Sequence, residues 1–194
     1  MRVSAILLGA GESKRMGVDK LSLPLGKKTV LERSLDPLVR SKVKEVIVVL
    51  GGRTKGMRVC LEGLKVKVII NPQCRKGMST SIRQGLQAIS PDSQGILIAL
   101  GDQPFVKRRT IDALIDAFFR KKGGIVVPSF NGRKGHPVVF DRKYEKDLMR
   151  LRGDAGGRTI LEKYSYDVVE ARTKSEGVVK DLDTWKEYRK SVKG

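Results

Sequence analysis

The stretch ILLGAGESKRMGVDKLSLPLG, residues 6–26, begins as an apolar run, breaks at glycine, carries several charges and then turns apolar again. The apolar part predicts a buried strand, and Gly9 and Gly11 predict a tight turn at its carboxyl end. Such a turn lets the backbone approach a ligand closely, and its consecutive N–H groups form a nest for anions. Three cations follow the turn: Lys14, Arg15 and Lys20. The segment is therefore suited to binding a phosphate chain.

Two better-known phosphate loops do not fit this turn. A Walker A loop has the spacing G-x-x-x-x-G-K-[ST], and counting from Gly11 the second glycine is replaced by Met16. A dinucleotide fingerprint has the spacing G-x-G-x-x-G, and counting from Gly9 its third glycine is replaced by Lys14. The turn thus favours neither a kinase-like ATPase nor an NAD enzyme. For this stretch alone, an ordinary glycine turn with solvated charges remains the alternative.

The rest of the chain alternates between strand-like and helix-like patterns. The strand-like runs are mostly continuously apolar, which is typical of strands buried on both faces in a parallel sheet. They lie at residues 3–8, 45–50, 66–70, 95–100 and 125–128. Helical patterns occupy residues 29–40, where Thr29 and Glu32 have capping-box spacing, and residues 110–122. This order predicts a three-layer α/β/α sandwich with a mostly parallel sheet.

The chain is expected to form one domain over residues 1–194, with an appendage rather than a linker after residue 128. There the alternation of strand-like and helix-like patterns stops, and Asn131-Gly132 between short strand-like segments predicts a hairpin. This hairpin belongs to an acceptor-side subregion at about residues 129–165. Cys60 and Cys74 match neither a zinc site nor a disulfide framework, so reduced thiols are expected.

The formal net charge of +19 attracts polyanions, so a basic nucleic-acid binding module must be weighed. The cations are scattered along the chain, only 5% of the residues are aromatic, and no known RNA- or DNA-binding motif is present. The composition therefore argues against a nucleic-acid partner. No apolar run approaches the roughly 18 residues of a membrane span, so a cytoplasmic protein without a membrane partner is expected.

A second chemical signal is the segment GILIALGDQPFV, in which a buried strand ends at Gly101-Asp102. Asp102 should reach the same sheet edge as the glycine turn, because ligands of an open parallel sheet bind beyond the carboxyl ends of its strands. A hard divalent cation bound to phosphates prefers such oxygen ligands. In VVKDLDTW, Asp181 or Asp183 could supply another carboxylate, although as an N-cap of the following helix Asp183 has the simpler explanation.

These segments together resemble the MobA-like nucleotidyltransferases, and most of all their molybdenum cofactor cytidylyltransferase branch. The resemblance runs nearly end to end through five motifs in order: LLGAGESKRMGVDKLSLPLG, NPQCRKGMSTSIRQGL, ALGDQP, GRKGHPVVF with LRGDAGG, and VVKDLDT. It implies a Rossmann-like sheet of the nucleotide-diphospho-sugar transferase type. It also implies transfer of CMP from Mg-CTP to the terminal phosphate of molybdopterin, with release of pyrophosphate and with Mg²⁺ as cofactor.

The resemblance also implies roles for individual residues. Arg15 would hold the β- and γ-phosphates with the glycine loop, Lys20 would neutralise the α-phosphate, and Asp102 with Asp183 would bind Mg²⁺. His136 and Asp154 would lie toward the acceptor. The implied nucleotide-binding residues are Leu8, Gly9, Ala10, Gly11 and Ser13 in the loop and Asn71, Gly77, Met78 and Ser79 near the nucleoside.

Several departures and rivals stay open. Cys74 stands where the family often has an aromatic, and Trp185 stands where a proline usually follows the last aspartate motif. The loop lacks the paired glycines of the guanylyltransferase branch, which favours CTP over GTP. His136 has an equally good explanation as a ring packed against the hairpin. The rivals are a pyrophosphorylase that makes an activated sugar or sugar alcohol, and a chaperone of a molybdoenzyme, which would make that enzyme a partner.

Overall fold

An eight-stranded sheet forms the centre of the protein in a computed structural model that describes residues 2–13, 15–52, 55–120 and 123–192. A separate pair of two-residue strands follows the glycine loop. The strands of both sheets are β1 (Val3–Gly9), β2 (Pro24–Leu25), β3 (Lys28–Thr29), β4 (Glu45–Gly51), β5 (Lys67–Asn71), β6 (Gly95–Leu100), β7 (Ile125–Phe130), β8 (Arg133–Lys134), β9 (Val138–Asp141) and β10 (Val168–Arg172).

The strand order of the large sheet is β10-β7-β9-β6-β1-β4-β5, and β8 pairs with β7. The pairs β1/β4, β1/β6, β4/β5 and β7/β10 are parallel. Strand β9 runs antiparallel to both of its neighbours, β6 and β7, and β8 runs antiparallel to β7. The predicted mostly parallel sheet is therefore confirmed, and the antiparallel pairs described in this large sheet lie in the half that contains the hairpin.

Helices cover both faces of the sheet because its central strands are apolar on both sides. In β1, Ala5 and Leu7 join one apolar cluster with the helices Val30–Val39 and Arg108–Arg120. Ile6 and Leu8 join a second cluster with the helices Met78–Ala88, Glu145–Arg150 and Gly157–Lys163. None of the described helices is long and apolar enough to cross a membrane. The helices are α1 (Val30–Val39), α2 (Lys55–Val59), α3 (Met78–Ala88), α4 (Arg108–Arg120), α5 (Glu145–Arg150), α6 (Gly157–Lys163) and α7 (Trp185–Val192).

The local signals of the sequence are reproduced with small shifts. Thr29 and Glu32 form the predicted capping box of α1. Helix α4 begins at Arg108, two residues before the predicted start, because the Lys107 carbonyl accepts the first backbone hydrogen bonds of the helix. The predicted hairpin is present as the β7/β8 pair, and Asn131 and Gly132 at its turn both have positive φ.

The sheet brings the two predicted chemical segments together at one edge. Strands β1 and β6 are parallel neighbours, with Leu8 beside Leu100. At their carboxyl ends, the Gly101 N–H donates to the Leu8 carbonyl over 2.9 Å. A Cβ on Gly101 would lie 3.0 Å from that carbonyl oxygen, so glycine permits this close approach. The glycine loop and Asp102 consequently start side by side.

Candidate active site

Lys20 lies between two carboxylates at the edge of the sheet. Its Nζ is 2.5 Å from Oδ2 of Asp102 and 2.6 Å from Oδ1 of Asp183. The Lys20 side chain is only 12% exposed, and its burial alone would lower its pKa. The charges and hydrogen bonds of Asp102 and Asp183 outweigh that effect and raise the pKa, so this lysine is a fixed cation.

The glycine loop folds back on itself and thereby delivers Lys20 to this position. Ser13 has a φ of 50°, and its carbonyl accepts hydrogen bonds from the N–H groups of Met16 and Gly17 over 3.0 and 3.2 Å. Its hydroxyl accepts one from the Lys20 N–H over 3.2 Å. Asp19 then caps a single 3₁₀ turn that begins at Lys20. Lys14, the first cation of the loop, lies outside the described residues.

Arg15 and the segment before α7 complete the charged cluster. The Arg15 guanidinium donates to Oδ2 of Asp183 over 2.9 Å. The N-cap of α7 is Thr184, which exchanges hydrogen bonds with Glu187 in a capping-box pattern. The interpretation of Asp183 as the helix cap is therefore wrong, because Thr184 performs that role and leaves the Asp183 carboxylate to Lys20 and Arg15.

Trp185 fastens α7 to the glycine loop. Its indole N–H donates to the Met16 carbonyl over 3.1 Å, and Tyr188, one turn later, donates to the Pro24 carbonyl over 2.6 Å. A proline at position 185 could not donate this hydrogen bond. Trp185 therefore adds a contact between α7 and the glycine loop that a proline would lack. The last motif is held against the loop as a result.

Two adjoining cavities open beside the glycine loop and share Gly9, Ala10, Gly11 and Ser13. The smaller, of about 220 Å³, also contacts Leu8, Lys20 and Asp102 and extends to Met78 and Asp154. The larger, of about 400 Å³, extends past Gly51 and Gly52 to Pro72, Cys74 and Arg75. The predicted loop residues therefore line both cavities, and Lys20 lies in the wall of the smaller one.

The residues predicted near the nucleoside divide into two groups. Met78 is exposed and lines the smaller cavity. Asn71 and Ser79 are fully buried. The Asn71 amide donates to the hydroxyls of Thr80 and Ser81 over 2.8 and 2.9 Å, which anchors the first turn of α3 to the end of β5. Asn71 thus stabilises the connection between β5 and α3 through buried hydrogen bonds, whereas Met78 faces the smaller cavity.

Asp154, one of the two residues predicted on the acceptor side, lies beside residues 77–79, which were predicted near the nucleoside. Its carboxylate accepts a hydrogen bond from the Met78 N–H over 3.3 Å, and the preceding Gly153 carbonyl accepts one from the Ser79 N–H over 3.0 Å. Gly77 makes this approach possible, because a Cβ there would lie 2.2 Å from the Gly153 carbonyl carbon. The LRGDAGG motif therefore packs directly against residues 77–79.

His136, the single histidine, is half-buried where the hairpin meets the segment before α7. Its backbone N–H donates to the Val178 carbonyl over 2.8 Å. Burial lowers the pKa of its imidazole to about 4, and the charge of Asp102 opposes that change only in part. The imidazole is therefore neutral near pH 7 and is electrostatically coupled to the carboxylate of the site.

We expect His136 to titrate far below the ordinary histidine range. Because its folded-state pKa of about 4 lies below the unfolded value of about 6.5, the unfolded chain takes up the proton first, and stability falls as the pH drops through this interval. In an NMR titration, the His136 ring signals should still report the neutral form at about pH 5.5. His136→Asn should flatten the dependence of Tm on pH over the same interval. A midpoint near 6.5 would contradict the burial of the ring.

Sequence reasoning missed the role of Gln103. This buried side chain donates through Nε2 to Oδ1 of Asp181 over 2.5 Å, and the Leu182 N–H donates to the Asp102 carbonyl over 3.0 Å. Burial raises the pKa of Asp181, which the hydrogen bond from Gln103 lowers only in part. The two aspartates of the last motif thus differ: Asp181 docks the segment and Asp183 joins the charged cluster. The signal available in the sequence was the polar residue directly after Gly101-Asp102.

The carboxylates of Asp102 and Asp183 fit a divalent cation. One oxygen of each lies within 2.6 Å of the Lys20 ammonium, so the two oxygens converge on a single positive charge. No group of three or more His, Cys, Asp or Glu side chains in the described part of the chain could enclose a metal ion. Two carboxylates, completed by phosphate oxygens and water, are the ligand set that Mg²⁺ usually takes.

Comparison with known proteins relates the chain to nucleotide-transferring enzymes. The model of the MobA-like NTP transferase domain matches residues 5–169. The purine catabolism protein PucB of Bacillus subtilis is 30% identical over 198 residues, which cover 94% of this chain and 92% of that protein. The molybdenum cofactor cytidylyltransferase of Escherichia coli is 24% identical over 186 residues, which cover 94% of this chain and 91% of that protein.

Solved structures agree with the fold over the full length of the chain. Rv0371c from Mycobacterium tuberculosis superposes with a TM-score of 0.86 at 31% identity, covering 100% of both chains. Its complex with manganese superposes with a TM-score of 0.87 at 29% identity, again over 100% of both chains. A protein of this architecture thus binds a divalent cation.

Proposed function

The chain belongs to the MobA-like NTP transferase domain family, and from this premise we propose that it transfers CMP from Mg-CTP to the terminal phosphate of molybdopterin and releases pyrophosphate. It is a nucleotidyltransferase, as its family and relatives show. The observation that carries the proposal is the position of Lys20, at 2.5 and 2.6 Å from Asp102 and Asp183 beside the glycine loop. The relative named as a molybdenum cofactor cytidylyltransferase supports this donor and acceptor.

In the proposed complex, the glycine loop binds the triphosphate. Gly9, Ala10, Gly11 and Ser13 line both cavities, and the backbone N–H groups of this turn would supply the nest for its anionic oxygens. Arg15 is exposed, and it would exchange its contact with Asp183 for the β- and γ-phosphates. Lys20 is held at the base of the loop, where it would neutralise charge on the α-phosphate as the bond to the β-phosphate breaks.

The proposed reaction requires the protein to position the substrates and to neutralise charge, and it requires no nucleophilic side chain. An oxygen of the acceptor phosphate attacks the α-phosphorus, a new P–O–P bond forms, and the bond to the β-phosphate breaks with pyrophosphate as leaving group. The acceptor phosphate is already ionised near neutral pH, so its attack requires no general base. Asp102 and Asp183 would hold Mg²⁺, which supplies Lewis-acid neutralisation of the phosphate oxygens when it is bound.

The acceptor would approach from the other side of the pair formed by Arg15 and Asp183. A cavity of about 410 Å³ opens there between the β7/β8 hairpin and the start of α7. Arg133 and Lys180 line it beside the carboxylates of Glu176 and Glu187, and Phe130 supplies an aromatic wall. A flat heteroaromatic compound that carries a phosphate matches these side chains. His136, which lies next to this hairpin, remains part of the proposed acceptor side.

The proposal is tested with the purified protein, Mg²⁺, molybdopterin or its molybdenum form, and each of the four NTPs in turn. The measured quantity is pyrophosphate release, and the product is identified by mass spectrometry. We expect release with CTP. The proposal is contradicted if release occurs only with GTP, which would indicate a guanylyltransferase, or only when a sugar phosphate is the acceptor, which would indicate a pyrophosphorylase.

A further inference from the structure

The two cations assigned to the triphosphate contact the two carboxylates assigned to the metal. Lys20 bridges Asp102 and Asp183, and Arg15 takes the second oxygen of Asp183 at 2.9 Å. Both oxygens of Asp183 are thus engaged by positive groups of the protein itself. The two carboxylates and the two cations balance one another, and the neighbouring Asp181 is held by Gln103, so a divalent cation that entered alone would lie next to the positive charge of Lys20.

We propose that Lys20 and Arg15 are internal counter-ions that exclude a divalent cation from the free enzyme, so that the metal binds only together with a nucleoside triphosphate. The triphosphate gives both cations new anionic partners, and their departure releases Asp102 and Asp183 for the metal. Nucleotide and metal are then coupled through an exchange of partners. This inference rests on the assignment of phosphate and metal ligands made under the proposed function.

Burial indicates which of the two cations is the stronger barrier. The side chains of Lys20 and Asp102 are 12% and 22% exposed, whereas Arg15 is 73% exposed. An exposed ion pair is screened by water and contributes little, but a partly buried pair is screened much less. Lys20 should therefore account for most of the exclusion of the metal, and Arg15 for a smaller part.

The test measures Mn²⁺ binding by electron paramagnetic resonance of free Mn²⁺, without acceptor and without turnover. Wild type, Lys20→Met, Arg15→Met and Lys28→Met are titrated with and without a non-hydrolysable triphosphate. Lys28 is the matched control, because its ion-pair partner at 2.6 Å is Asp36 and not a carboxylate of the cluster. Thermal unfolding establishes whether each variant is folded. If Lys20→Met does not fold, Arg15→Met still tests the inference.

Without nucleotide, Lys20→Met is expected to bind Mn²⁺ at least about tenfold more tightly than wild type, and Arg15→Met by a smaller factor. Lys28→Met should match wild type. Addition of the triphosphate should tighten Mn²⁺ binding more in wild type than in Lys20→Met. Only wild type has the Lys20 ammonium, which the triphosphate draws away from the two carboxylates, so only wild type has this coupling between the two ligands. In the double variant Lys20→Met with Asp102→Asn, the tight binding should be lost.

Equal Mn²⁺ affinity in folded wild type and Lys20→Met would overturn the inference, as would tight Mn²⁺ binding by wild type without nucleotide. If Lys20→Met does not fold, equal affinity in wild type and Arg15→Met overturns it. These outcomes leave the proposed function intact if wild type still releases pyrophosphate from CTP in the presence of molybdopterin. Conversely, a tenfold difference in Mn²⁺ affinity without transfer to any acceptor would support the exchange and refute the proposed function.

Discussion

Replacement of Asp102 by asparagine is expected to lower turnover about a hundredfold under limiting Mg²⁺ while the fold survives. The substitution keeps the shape of the side chain but removes one of the two carboxylate charges that converge on Lys20. A contact to a charged group contributes about 1.5–3 kcal/mol, and when it is realised in the transition state its loss costs about ten- to a hundredfold in rate. Weaker metal binding adds to this loss until Mg²⁺ is raised to saturation.

The measurement is the initial rate of pyrophosphate release as a function of Mg²⁺ at fixed nucleotide. Asp92→Asn is the matched control, since Asp92 accepts from Lys44 and Arg2 in a surface ion-pair cluster outside the site. It should leave both the rate and the dependence on Mg²⁺ unchanged. If Asp102→Asn turns over at nearly the normal rate when Mg²⁺ is limiting, Asp102 is not a metal ligand.

The central part of the fold could be predicted because its strands are buried on both faces. The continuous apolar runs at Val3–Gly9 and Gly95–Leu100 identify parallel strands without reference to the rest of the chain. The register between these two strands then places Gly101 beside the glycine loop. By contrast, β10 is half-exposed with a mixed pattern, and α6 is only seven residues long. Tertiary packing specifies such elements, and local sequence patterns do not reveal them.

The position of Asp183 was predictable only in part. Asp and Thr are both good N-caps, so the sequence DTWKE does not decide which of them caps the helix. The structure decides it through Glu187, which lies three residues after Thr184 and completes the capping box. The contact with Lys20 spans 163 residues of sequence. No local pattern predicts such a contact, and the resemblance to a family was the only source for it.

The wall formed by Asp154 and residues 77–79 also depends on contacts that are distant in sequence. Two glycine-containing motifs, one at Gly77 and one at Gly153, meet because Gly77 has no side chain. A Cβ on Gly77 would lie 2.2 Å from the Gly153 carbonyl carbon, whereas a Cβ on Gly153 would meet no atom within 4 Å. Glycine in a sequence indicates a turn or a close approach, but it does not identify the partner. The acceptor assignment of Asp154 came from the family resemblance, and the structure brings this residue next to Met78.

Gly77→Ala is expected to destabilise the protein by about 2–4 kcal/mol and to weaken nucleotide binding. Gly77 has a φ of 106° and a ψ of 167°, a backbone region that only glycine adopts readily and that costs other residues about 1–3 kcal/mol. The added Cβ would also lie 2.2 Å from the Gly153 carbonyl carbon, so the wall must move away. For a chain of this size, Tm should fall by about 5–10 °C.

The matched control is Gly63→Ala, because Gly63 also has a positive φ, of 77°, but a Cβ there meets no atom within 4 Å. It should show backbone strain alone, about 1 kcal/mol and a few degrees of Tm, with nucleotide affinity unchanged. Tm is measured by scanning calorimetry and nucleotide affinity by titration calorimetry with a non-hydrolysable triphosphate. Equal losses in both variants would mean that the contact between residues 77 and 153 contributes nothing. A larger loss of Tm and a loss of affinity only in Gly77→Ala would show that this contact shapes the nucleotide site, because the hydrogen bonds from Met78 and Ser79 to the facing loop depend on it.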